Sequence, residues 1–265
     1  MNTKEEATSF KLSQNLKEFF IGAADLGRFT GRFFSEGMRP PYEFREITRQ
    51  CFEIGYRSLP LITVTSFILG FVLILQSRPS MMQFGAGSFL PAMSGISIVR
   101  EIGPLVTALV CAGKIGSGIS AELGSMKVTE QIDAMEVSGT NPFKFLVATR
   151  ILATTLMIPL LTVYADAIAL TGSFTGANTK DSINLSLFFD QVFQALSFNA
   201  VVPAFIKSFL FGFAIGLVGC TKGYNSKNGT EGVGQAANSA VVVAMLSVIF
   251  FDMIVTQITA MLGYL

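Results

Sequence analysis

The chain has 265 residues, of which 51% are hydrophobic and only 14% are charged. Soluble domains carry about 25% charged residues, so this composition indicates a membrane protein. Histidine is absent and the net charge is +1. The absence of histidine excludes catalysis by histidine and metal binding by histidine. The small net charge gives no electrostatic reason to expect nucleic acid as a partner. Three widely spaced cysteines without C-x-x-C spacing favour neither zinc ligation nor disulfides.

Residues 1–57 form a charged segment with two amphipathic stretches. The first stretch has apolar residues close to helical spacing from Leu12 to Phe33, and Phe44 and Ile47 begin a similar pattern just before the first apolar run. Helices with one apolar and one charged face, placed before a membrane span, are typical of the membrane interface. The alternative is that these helices pack on a partner protein.

Residues 58–265 contain five apolar stretches. A membrane-spanning helix needs about 20 predominantly apolar residues. The sequence predicts spans at about 58–77, 89–121, 145–174, 201–221 and 238–262. Prolines and glycines from position 79 onward predict an outer turn before the second span. Residues 175–199 predict an aqueous loop, or a short surface helix within it. The predicted fold class is an all-α integral membrane protein.

The distribution of basic residues predicts the orientation. Lysines and arginines are concentrated before Ser58 and in the loops that follow the second and fourth spans, whereas the opposite side carries only Arg78 and Lys180. Positive loops remain in the cytoplasm. The N-terminus is therefore predicted to be cytoplasmic.

Arg100 and Glu101 lie near the middle of the second span, just before Gly103 and Pro104. Charges at this depth are costly and usually face a cavity or a partner, and proline kinks or opens a helix. This arrangement predicts a site for a polar head group or an ion. The alternative is a structural ion pair between helices.

Three further charges, Asp166, Lys207 and Asp252, lie within later spans. They would form a proton relay or pair with one another, and the sequence leaves both open. A relay through Glu101, Asp166 and Asp252 would make the protein an ion-coupled secondary transporter. No G-x-x-x-x-G-K-[ST] motif occurs, so the chain is not expected to hydrolyse ATP.

The stretch after the second span has the composition of a docking helix. Residues 122–138 combine an apolar stripe with several charges, and Gly139 and Pro142 are helix-stop signals. A short mixed helix of this kind fits a groove on a soluble subunit, and a solvated connecting helix is the alternative.

The run from Arg100 to Thr162 closely resembles the MlaE/YrbE permease family, on its R-E-I-G-P motif and the E-L-G-S-M-K-V-T-E-Q segment. The later stretch GYNSKNGTEGVGQAANSAVV and the D-x-x-x-T pattern at Asp252 also resemble this family. The resemblance implies five spans after an interfacial helix, and a homodimer. Family members are the membrane subunits of ABC lipid transporters in the bacterial inner membrane.

The resemblance also implies partners and a function. The expected partners are a cytoplasmic ABC ATPase subunit, which binds the ATP and magnesium, and a periplasmic MCE-domain protein; no cofactor is expected in this chain. The expected cargo is phospholipid or a related lipid, moved between the inner membrane and the periplasm or outer membrane. Such transport would support the lipid asymmetry of the outer membrane.

Two sets of residues are implied by similarity to the family. Residues expected to line the lipid cavity are Arg100, Glu101, Leu73, Gln76, Met81 and Phe84. Residues expected to couple the chain to the ATPase are Glu122, Gly124, Met126, Lys127, Thr129, Glu130 and Gln131.

Overall fold

A computed structural model describes residues 22, 24–37, 40, 42–179, 183–227 and 229–263. Within these ranges the regular structure is entirely helical. Five helical stretches are long and apolar enough to cross a membrane, in agreement with the predicted fold class. They are Phe44–Gln83, Gly87–Val128, Phe143–Ala177, Phe198–Tyr224 and Thr230–Met261.

The first helices cover one end of the bundle. Residues 24–37 form helix α1, whose last turn is a π-helix at Phe33–Gly37. Phe29 and Phe33 are buried, with the Phe29 ring 5.0 Å from that of Phe143. Helix α2 (Phe44–Tyr56) packs against the third span and leaves several aromatic side chains exposed. The second half of the predicted amphipathic stretch, with Leu26 and Phe33, is helix α1, whereas its first half around Leu12, Leu16 and Phe19 lies outside the described residues.

The first span is helix α3 (Leu59–Gln83), and it is longer than predicted. The sequence placed a turn from position 79, but Pro79 lies inside the helix. The chain turns only after Phe84, where Gly85 adopts a φ of 67° that glycine tolerates. A loss of one hydrogen bond at Pro79 was therefore not sufficient to end the helix.

The second span is a chain of three α-helices joined by two π-helical turns. These helices are α4 (Leu90–Ser97), α5 (Gly103–Cys111) and α6 (Ser117–Val128). The π-turns occupy Ile98–Ile102 and Ala112–Gly116. Helix α4 contacts helix α9 (Leu185–Ala195), α5 contacts the third span, and α6 contacts the last two spans.

The remaining elements complete the bundle. After the short helix α7 (Gln131–Val137), a π-turn at Phe143–Ala148 leads into α8 (Thr149–Ala177). Helix α9 (Leu185–Ala195) is the predicted short surface helix, and it buries Phe188 and Val192. Helices α10 (Phe198–Tyr224) and α11 (Thr230–Met261) form the last two spans.

Small residues hold α3 and α8 together. A Cβ built on Gly70 would lie 1.8 Å from the carbonyl oxygen of Ala169, and one on Gly172 would lie 2.3 Å from that of Phe67. Ser173 Oγ donates a buried hydrogen bond of 2.9 Å to the Gly70 carbonyl. Membrane helices that lack bulky side chains at their contact approach closely and gain packing contacts.

Candidate functional site

The first of the two π-turns of the second span carries Arg100 and Glu101. Pro104 follows at the start of α5, where it needs no hydrogen-bond acceptor inside that helix. The carboxylate of Asp166 on α8 lies directly against Gly103, since a Cβ built there would be 1.7 Å from Asp166 Oδ1. π-turns within helices are frequent at functional sites. The predicted irregularity is therefore present, with glycine making room for a carboxylate.

Glu101 joins a cluster of charges formed by three spans. Lys207 Nζ on α10 donates to Glu101 Oε2 at 2.7 Å and to Asp252 Oδ1 on α11 at 2.9 Å. The Lys207 side chain is only 4% exposed. Of the two arrangements left open by the sequence, Lys207 and Asp252 thus form an ion pair. Asp166 lies apart from them, and its Oδ1 has no hydrogen-bond partner in the described part of the chain.

Arg100 is placed differently from its neighbour. Its side chain is half-buried, and it forms no hydrogen bond or ion pair with any residue that the structure describes. It lines a small polar pocket together with Asn199, Lys207 and Thr256. The buried hydroxyl of Thr256 also lacks a hydrogen-bond partner within the described ranges. Two unsatisfied polar groups therefore meet at one place in the membrane-spanning region.

An apolar groove continues from this polar pocket between α10 and α11. The groove has a volume of about 520 Å³, and it shares Asn199, Pro203, Val255 and Thr259 with the polar pocket. Its remaining walls are mostly aliphatic and aromatic side chains: Phe198, Val202, Ile206, Leu210, Ile258 and Leu262. We call the pocket and the groove together the α10–α11 groove. It offers a cationic end and an apolar body within a single chain.

The other predicted cavity residues lie on α3 and the turn after it. Leu73 and Met81 are partly buried and pack on a cluster that contains Ile98, the first residue of the π-turn. Gln76 is exposed, and Phe84 is 85% exposed at the end of the helix. None of these four residues lines the α10–α11 groove of the single chain.

The predicted coupling segment is two helices instead of one. Helix α6 extends through Val128, and α7 begins at Gln131. Between them Glu130 has a left-handed φ of 57°, which is unfavourable for a residue with a Cβ and carries no glycine signal in the sequence. Lys127 and Asp133 bridge the break with an ion pair of 2.9 Å. The prediction of one continuous helix at 122–138 was therefore wrong.

Other residues of the predicted coupling segment make contacts that hold the corner between α6 and α7 in place. Met126 packs on the main hydrophobic core, and a side chain at Gly124 would meet Ser226 Oγ at 3.3 Å. Gln131 donates to the Thr129 hydroxyl at 3.0 Å. At the far end of α7, Val137 is 90% exposed. The corner thus combines a fixed base with an exposed apolar tip.

Sequence reasoning missed Arg150 near the start of α8. Its guanidinium is buried and donates to Glu122 Oε1 at 2.7 Å. In the sequence, an arginine near the end of an apolar stretch cannot be distinguished from one whose side chain extends to water. The partner Glu122 also lies far away in sequence. The walls of the α10–α11 groove were also missed, although Pro203 inside α10 was a possible signal.

Comparison with known proteins gives consistent matches. The chain matches the family model described as Permease MlaE over residues 47–258. It is 35% identical over 221 residues to a probable ABC transporter permease protein of Rickettsia typhi, covering 83% of this chain and 85% of the relative. It is 31% identical over 219 residues to a probable ABC transporter permease protein of Synechocystis, covering 83% of each.

A plant relative extends the comparison. The chloroplastic protein TRIGALACTOSYLDIACYLGLYCEROL 1 of Arabidopsis thaliana is 29% identical over 214 residues, which are 81% of this chain and 61% of the relative.

The matches agree with the five spans and confirm the predicted role as an ABC transporter permease. A permease subunit of this kind is non-catalytic, and a separate ATPase partner hydrolyses the ATP. The family match therefore favours ATP-driven transport over the ion-coupled alternative that the buried carboxylates suggested. A family model that covers residues 47–258 and a relative that matches over 83% of the chain show that this multi-pass membrane protein belongs to the MlaE permease family.

Proposed function

We propose that the chain moves phospholipid, or a related lipid, between the bacterial inner membrane and the periplasm or outer membrane. Such transport would support the lipid asymmetry of the outer membrane. ATP and magnesium are bound by the partner ATPase. The observation that carries this proposal is the half-buried, unpaired Arg100 at the polar end of the apolar α10–α11 groove.

The chemistry of the groove fits an anionic amphiphile. A charge near the middle of a bilayer costs several kcal/mol unless an opposite charge or water compensates it. Glu101 is already paired with Lys207. A lipid phosphate would compensate Arg100, while the acyl chains lie against the apolar walls of the same groove. A soluble anion would leave those walls unoccupied.

The comparisons support a lipid cargo. The name of the Arabidopsis relative contains a diacylglycerol-based glycolipid. The glycerol-linked acyl chains of such a lipid are shared with phospholipids, and they suit an apolar groove of this size.

The assembly proposed here follows the family resemblance. Two copies of the chain would form a homodimer that encloses the cavity, and Leu73, Gln76, Met81 and Phe84 would then face the lipid. An MCE-domain protein would receive or deliver lipid on the periplasmic side. The exposed tip of α7 would dock on the ATPase in the cytoplasm, with the N-terminus on the same side of the inner membrane.

The test is to measure the phospholipid that copurifies with the complex. We expect Arg100→Ala to lower bound phospholipid about tenfold, because a single compensating charge is lost. Arg100→Lys should retain part of it. The matched control is Arg45→Ala, which removes an exposed arginine of α2 outside the groove.

The readout is native mass spectrometry of the complex from its own membrane, with total phosphorus as a second measure. Assembly with the ATPase should be unchanged in all three variants. Wild-type levels of bound phospholipid in Arg100→Ala would contradict the proposed site. Loss of the assembled complex in Arg100→Ala alone would instead assign Arg100 a structural role.

A further inference from the structure

The buried guanidinium of Arg150 depends on one acidic partner. Its side chain is 2% exposed, Nη1 donates to the Leu146 carbonyl at 2.8 Å, and Nη2 donates to Glu122 at 2.7 Å. Arg150 Nε has no partner among the described residues. The Glu122 side chain, by contrast, is more than half exposed. The pair therefore joins a fixed cation to an acid that lies at the surface of the bundle.

A pair of this kind resists separation. Arg150 is buried whereas Glu122 is more than half exposed, so removing Glu122 leaves a buried guanidinium without a compensating charge. Arg150 forms no second ion pair in the part of the chain that the structure describes. A displacement of Glu122 would strand the buried cation, so that Arg150 and its helix are drawn along.

The Arg150–Glu122 pair connects helix α6, which leads to the corner before α7, with helix α8. Glu122 lies on α6, about two turns before the corner that leads to α7 and its exposed tip. Arg150 lies at the start of α8, which packs along α3. Farther along α8, Asp166 presses against Gly103 beside the π-turn that carries Arg100. The pair thus sits between the cytoplasmic corner and the lipid groove.

We propose that Arg150 and Glu122 are positioning residues that transmit movement of the α6–α7 corner to α8. The proposal rests on the proposed lipid transport. It assigns Glu122 an internal role, in place of direct contact with the ATPase. The expected consequence is that ATP hydrolysis and lipid movement become uncoupled when the pair is removed.

The experiment compares three variants in the purified complex with its ATPase and periplasmic partners. Glu122→Gln removes the acid, and Glu122→Gln with Arg150→Met removes both charges. Replacement of a buried pair by neutral residues is often tolerated by the fold. The matched control is Glu53→Gln, which breaks an ion pair between α2 and Arg57, the residue directly after that helix.

The readout is transfer of a fluorescent phosphatidylglycerol between proteoliposomes, divided by the phosphate released from ATP. We expect the lipid moved per ATP to fall about tenfold in both the single and the double variant, within the usual range of coupling between sites. The ATPase should still copurify and hydrolyse ATP. The control variant should keep the wild-type ratio.

Several outcomes would overturn the inference. A wild-type ratio in either variant would show that the pair transmits nothing. Loss of the ATPase from Glu122→Gln would indicate direct docking, and failure of the double variant to assemble would show a role in folding alone. If the wild-type complex moves no phosphatidylglycerol at all, the proposed lipid function fails, which is a separate result.

Discussion

Lys207 holds two carboxylates from different spans, and its removal should destabilise the bundle. The perturbation is Lys207→Met, which keeps an unbranched stem of similar length but removes the ammonium group. Glu101 and Asp252 then face each other without a cation, with Asp252 itself 13% exposed. Their mutual repulsion would separate α5 and its π-turn from α11.

The distances set the size of this effect. Contacts of 2.7 and 2.9 Å each correspond to roughly 6 kcal/mol of Coulomb attraction at an effective dielectric constant of about 20. Most of this attraction offsets the cost of removing the charges from water. Breaking one side of a buried pair typically costs about 3–5 kcal/mol in net free energy of unfolding.

Thermal unfolding followed by far-UV circular dichroism in detergent checks the prediction. For a chain of this size the loss corresponds to a decrease in Tm on the order of 10 °C. Phe205→Met is the control, because this residue lies on the same helix and is exposed. A triple variant with Glu101→Gln and Asp252→Asn added should recover much of the loss. A Tm within about 2 °C of wild type for Lys207→Met would refute the reasoning.

Two further predictions concern packing. Gly70→Ala should destabilise the protein by about 2 kcal/mol or more, because the added Cβ would meet the backbone of Ala169. The control is Gly118→Ala, whose Cβ would meet nothing within 4 Å and which should be neutral or stabilising. Thermal unfolding distinguishes the two variants, and equal Tm values would contradict the close contact at Gly70. Phe29→Ala should cost about 3 kcal/mol, because it opens the aromatic cluster that holds α1. Limited trypsin digestion should then cleave α1 faster, while the exposed Phe44→Ala control should leave the rate unchanged.

The span pattern could be predicted because it depends on local composition. Long runs without charge are visible in the sequence, and each of the five predicted stretches overlaps an observed span. Boundaries were less accurate: α11 begins at Thr230 instead of about 238, because the polar residues 230–237 form the first turns of the same continuous helix. Glu130 gave no signal for the break in the predicted coupling segment, because a left-handed φ is normally indicated by glycine and this position carries glutamate.

The candidate site was only partly predictable for a similar reason. Gly103 and Pro104 predicted an irregular helix. Arg100 and Glu101 could be singled out because they are charged residues within an apolar stretch. Their different partners could not be deduced, because Glu101 is paired through Lys207, which lies far away in sequence. That Arg100 forms no ion pair with the described residues, and that apolar walls lie beside it, depends on how α10 and α11 pack. No local sequence pattern specifies this packing.

The two π-turns of the second span have a consequence for how one helix can serve several neighbours. A π-turn accommodates about one extra residue, and one residue corresponds to about 100° of rotation around the axis. Each turn therefore resets the helical phase. Helix α4 contacts α9 most extensively, α5 contacts α8 most extensively, and α6 contacts α10 and α11, a distribution that one uninterrupted helical phase would make difficult. One membrane span thus consists of three short helices, each of which presents its own face to its neighbours. Arg100 lies in the π-turn between the first two of them.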